Sequence, residues 1–121
     1  MEITFATARL AKLCNDRQKA IREWGPQVGP NVIGVVGRLA EAPDLAAAAA
    51  AKHLRIHPLQ QGRRKSRGHY SADASKRMRL ILVPIADGQT IRRPDGTPEW
   101  ESVRVIEIVE VEDTHDEGHK G

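Results

Sequence analysis

Four separated pieces of the chain carry side chains able to act on a phosphodiester: His57, the Arg63, Arg64, Lys65 and Arg67 segment, Arg79, and Asp113 with His115. Imidazole and carboxylate groups exchange protons, and guanidinium groups hold phosphate charge, so together they carry what cleavage of an RNA backbone needs. The 2′-hydroxyl of RNA is itself a nucleophile, so neither an enzyme nucleophile nor a metal is required. Each piece also has a plainer reading. His57 beside Pro58 fits a solvated strand histidine, and Arg79 fits an ion pair with Asp73 or a strand glutamate. His115 and His119 stand in a polar tail, and His53 and His69 sit at a helix end and beside a glycine.

The cations concentrate in one stretch, Lys52 to Arg79, where Lys52, Arg55, Arg63, Arg64, Lys65, Arg67, Lys76, Arg77 and Arg79 face a single acid, Asp73. A cluster of this kind is the footprint of a polyanion binder, although a solvated loop also gives a charge run. Net charge is only +3, because Glu107, Glu110, Glu112, Asp113, Asp116 and Glu117 make the end of the chain acidic. Phe5, Trp24, Tyr70 and Trp100 are the only aromatics, too few for a base-stacking platform. The lone Cys14 excludes a disulfide framework and a cysteine zinc site, and no His/Asp/Glu spacing forms a recognised ligand set. Neither a phosphate-cradling glycine loop nor a DNA-reading helix motif is present. With no signal-type segment and no apolar run of membrane-spanning length, a soluble cytoplasmic protein is expected, without cofactor.

The elements that must position these groups follow from periodicity. At 121 residues the chain is expected to be one domain over residues 1–115, with 116–121 a polar, disordered tail. Glu2 to Ala6 alternates as a strand, and Thr7 caps a helix burying Leu10, Leu13, Cys14, Ile21 and Trp24, stopped by Gly25 and Pro26. A second helix buries Val32, Val36 and Leu39 and begins late, near Pro30. Asp44 caps a third over the alanine run. RIHPL and HYSADA form a hairpin with a basic connection, MRLILVPI a central strand, and SVRVIEIVEV the last strand. The expected class is α+β: an N-terminal strand, two or three helices on one face, and a mainly antiparallel sheet of four or five strands.

The order of these segments resembles the RelE/ParE superfamily of type II toxins, in its HigB-like, plasmid maintenance system killer branch. The likeness lies in MEITFATARLAKLCND, RIHPLQQGRRKSRGHYSAD, RLILVP and PEWESVRVIEIVEVEDTH. It implies a ribosome-dependent mRNA endonuclease that cuts messenger in the ribosomal A site by 2′-hydroxyl attack, leaving a cyclic phosphate and a 5′-hydroxyl. It also implies neutralisation by a cognate helix-turn-helix antitoxin, with operator DNA engaged only through that partner. On this likeness His57 transfers or orients a proton and Arg79 stabilises phosphate charge. Arg63, Arg64, Lys65, Arg67 and Arg77 grip RNA backbone, and Asp113 and His115 match the outer members of a terminal Asp-Tyr-His pattern. Thr114 stands in the tyrosine's place, where it can neither stack on a base nor act as a phenolic acid. Two other readings share the fold: a non-catalytic antitoxin partner or co-repressor, and a ParE-like inhibitor of DNA gyrase.

Overall fold

In the computed structural model, which describes residues 1–59 and 68–113, the chain is α+β, with three α-helices and a five-stranded sheet. The order along the chain is β1 (Glu2–Phe5), α1 (Ala8–Asn15), α2 (Arg17–Glu41), α3 (Leu45–Ala50), β2 (His57–Pro58), β3 (Tyr70–Asp73), β4 (Met78–Pro84) and β5 (Val105–Asp113). Across the sheet the order is β1-β5-β4-β3-β2. Only the β1–β5 pair is parallel, and the others are antiparallel as expected.

The helical region departs from the expected layout in two places. Instead of one helix from Thr7 to Trp24, the chain breaks at Asp16, whose extended backbone (φ −137°) ends α1 and whose carboxylate accepts from the Lys19 amide to start α2. Gly25 and Pro26 do not stop α2 but bend it: Gly25 takes φ +94°, and Pro26 opens the second arm, where its missing N–H costs nothing. The second arm therefore begins at once and carries Pro30 within it. The bend brings Gly29 against the first arm so closely that a Cβ there would lie 2.7 Å from the carbonyl carbon of Ala20. Thr7 and Asp44 cap α1 and α3 as their side chains predict, accepting from the amides of Leu10 and Ala47.

Period two then decides which face of the sheet the helices cover. Tyr70, Ala72, Leu80, Leu82, Ile106 and Ile108 form one core with Val32, Leu39 and Leu45 from the helices. Each fully buried aliphatic side chain of this kind contributes roughly 1.5–3 kcal/mol. A β-bulge interrupts the alternation in β5: Ile81 faces Glu110 while Leu82 faces Ile108, which leaves Val109 as the extra residue. Beyond it the parity inverts. Val111 turns to the helices and packs against the core, and Glu110 and Glu112 pass to the opposite face. No helix among the described residues is long and apolar enough to cross a membrane.

Candidate nucleic-acid interface

The face turned away from the helices carries the residues of chemical interest in two adjacent rows. One row runs His57, Ser71, Ile81, Glu110 across β2 to β5, and the next places Asp73, Arg79 and Glu112 in register. His57 and Arg79 thus share a face, two strands and two residues apart. Strand spacing and rise put their Cα atoms about 12 Å from one another. A phosphodiester and its flanking sugars can fill that separation.

His57 is held at both ring nitrogens. Arg55 adopts the left-handed conformation (φ +49°), the one non-glycine residue with positive φ among those described, and this stops the RIHPL segment from pairing before His57. Its carbonyl accepts from His57 Nδ1 at 2.8 Å, because a carbonyl only accepts. The neutral ring therefore carries its proton on Nδ1, and Nε2 is the lone-pair nitrogen, receiving the Ser71 hydroxyl at 3.2 Å. The ring itself is exposed, whereas Ser71 is fully buried.

Arg79 lies in acidic company. Its guanidinium is 3.5 Å from Glu112, with both side chains largely buried (19% and 14% exposed), and Asp73 faces it from β3. The strand-glutamate pairing weighed for Arg79 is the contact present. Asp73 in turn meets the exposed Arg55 at 3.5 Å, so arginine and carboxylate alternate along the row. This arrangement follows from the bulge, without which Glu112 would point into the core.

Asp113 does not join His57 and Arg79. It pairs with Met78, one residue before Arg79, and strand alternation sends it to the helix side, where it borders a groove with Trp24, Val28 and Met78. Its carboxylate takes a hydrogen bond from Arg77 at 3.2 Å, which ties the β3–β4 turn to the end of β5. Arg77 therefore also stands apart from the His57 face. Arg63, Arg64, Lys65, Arg67 and His115, with Thr114, lie outside the described residues.

Two participants are not legible in the sequence, Arg55 as the anchor of His57 and Ser71 as its second partner; a strand glutamate beside Arg79 is, but not that it is Glu112. Ser71 becomes visible only once the β2–β3 register is known, and Glu112 only once the bulge is known. Arg55 offered no signal, because it acts on His57 through its backbone carbonyl, a group that every residue supplies. No family model, no curated protein and no solved structure matches the chain.

Proposed function

We propose that the protein is a cytoplasmic, ribosome-dependent mRNA endonuclease, the toxin of a type II toxin–antitoxin pair, acting without a metal. The observation that carries the reading is His57. It is exposed, fixed in one tautomer with Nε2 as the proton-accepting nitrogen, and set on the same sheet face as Arg79. In this reading Nε2 draws the proton from a ribose 2′-hydroxyl as its oxygen bonds to the adjacent phosphorus. The P–O5′ bond breaks, the departing 5′-oxygen takes a proton from water, and the products are a 2′,3′-cyclic phosphate and a 5′-hydroxyl. Arg79 and the exposed Arg55 neutralise charge on the phosphoryl oxygens. The segment resemblance supplies the ribosome and the antitoxin as partners.

The test is cleavage of messenger on purified ribosomes in magnesium buffer, mapped by primer extension, with the protein itself stripped of metal by chelator and dialysed beforehand. Cuts bearing a cyclic phosphate that vanish in His57→Ala and Arg79→Ala are expected. Intact messenger in the presence of folded wild-type protein refutes the reading. A second reading, a non-catalytic partner of an antitoxin, is favoured by the acids around Arg79, since Asp73, Glu110 and Glu112 would repel RNA phosphate and attract a basic peptide. It predicts no cleavage and no growth arrest on expression, with tight binding to the neighbouring gene's product.

A further inference from the structure

We infer that Ser71 is a positioning residue for His57: with the Arg55 carbonyl, its buried hydroxyl fixes the orientation of the imidazole and the tautomer in which Nε2 is the basic nitrogen. The inference deepens the ribonuclease reading and rests on it for its catalytic part. The pair of contacts admits another use, a serine nucleophile activated by a histidine, and burial decides between them. Ser71 has no exposed surface, so no phosphorus or carbonyl carbon can approach its oxygen, whereas the His57 ring is open to solvent. A buried hydroxyl must still be hydrogen-bonded, and Nε2 at 3.2 Å serves that need.

The two contacts restrict the ring differently. Arg55 O accepts only and so selects the Nδ1–H tautomer. One hydrogen bond leaves the ring free to swing about it; the second, from the opposite side, removes that freedom. The anchors are themselves stiff. Ser71 is locked in β3 between β2 and β4, and the Arg55 carbonyl is fixed by the left-handed backbone there and by the hydrogen bond of the Arg55 amide to the Lys52 carbonyl. When substrate arrives, the 2′-hydroxyl must displace the Ser71 hydroxyl from the one lone pair of Nε2, and once that nitrogen has taken the proton its new N–H donates back to the Ser71 oxygen, so that the buried hydroxyl regains a partner.

The experiment reads the ring directly. In the full chain labelled with nitrogen-15, the neutral His57 ring is expected to show a protonated Nδ1 and an unprotonated Nε2. In Ser71→Ala both resonances move partway toward their averaged positions, because only the Arg55 carbonyl still favours the Nδ1–H form, while the backbone amide spectrum elsewhere is preserved. Ser71→Cys, of similar shape and only a weak donor, gives the same test should the alanine variant lose its fold. On ribosome-bound messenger Ser71→Ala lowers kcat by about 10- to 100-fold and leaves KM in place, the signature of a misplaced group instead of a lost contact to substrate. A wild-type ring protonated on Nε2, an unchanged ring in Ser71→Ala, or an unchanged kcat overturns the assignment. No cleavage by the wild-type chain with both ring signatures as expected overturns the ribonuclease reading and leaves the clamp standing.

Discussion

Replacing Glu112 by glutamine separates what Arg79 does for the fold from what it does for a ligand. The two charges are 3.5 Å apart and mostly shielded from water. At an effective dielectric constant of about 20 their gross attraction is ~5 kcal/mol, most of which offsets the cost of removing both from water. A net contribution of roughly 1–3 kcal/mol remains. Glu112→Gln keeps the shape and removes the charge, so the fold should lose stability by about that amount, read by urea denaturation. The same carboxylate competes with any phosphate for Arg79. Its removal should therefore raise the affinity for a fluorescent oligoribonucleotide by roughly 5-fold or more, the lower end of that free energy, measured by polarisation at low salt.

Opposite signs in two assays make the expectation hard to meet by accident. Glu23→Gln is the control: its pair with Arg9 is closer, 2.8 Å, but the two side chains are 38% and 70% exposed. Water screens that pair, and its loss should change stability by no more than about 0.5 kcal/mol and RNA affinity not at all. If distance instead of burial governed these pairs, Glu23→Gln would be the more damaging change. Unchanged or weakened oligonucleotide binding in Glu112→Gln would refute the view that the acid masks Arg79 from phosphate.

Gly29→Ala should lower stability by roughly 1–3 kcal/mol despite its gain in helix propensity, because the new Cβ would sit 2.7 Å from backbone atoms of Ala20. Gly34→Ala, with nothing within 4 Å of the added carbon, should raise stability by roughly 0.5–1 kcal/mol, and thermal unfolding followed by circular dichroism compares the two. Burial pushes the Cys14 thiol up from its ordinary 9.0 to about 11, so the native protein should resist iodoacetamide at pH 8 while the urea-unfolded chain reacts. Because the unfolded thiol loses its proton near 9.0 and the folded one only near 11, this group favours unfolding as the pH rises through that interval, an effect that Cys14→Ala should abolish. Removing the Asp44 carboxylate that caps α3 should cost about 1 kcal/mol in the same unfolding assay.

The sequence carried the elements better than the geometry of the site, and the reason differs from place to place. Thr7 and Asp44 were readable because a cap is a local arrangement, complete within three residues. Asp16 does the same work for α2, but it lies inside a helical hydrophobic stripe that continues on both sides, so periodicity ran through it. Gly25 and Pro26 form a stop signal by local rules alone. The contact of Gly29 with Ala20 lets the chain continue as a bent helix, and that contact is tertiary. His57 and Arg79 were each identifiable as candidates, yet their sharing of a face depended on the β2–β3 and β3–β4 registers, which no single segment encodes.

The bulge at Val109 is where local pattern and final chemistry diverge most. Strict alternation through SVRVIEIVEV and the following Glu112 puts Ile106, Ile108, Glu110 and Glu112 on one side, an arrangement that would bury two carboxylates under the helices at a cost of several kcal/mol each. One extra residue resolves the conflict: Val111 enters the core, and both glutamates move to the face of His57 and Arg79. The same displacement leaves Asp113 on the helix side, joined to Arg77, and so separates it from the other candidates. A single backbone irregularity thus brings two carboxylates, Glu110 and Glu112, to the face beside Arg79. A ligand that binds there must either displace Glu112 or enter from the Arg55 and His57 edge, and the Glu112→Gln and Ser71→Ala variants distinguish those two routes.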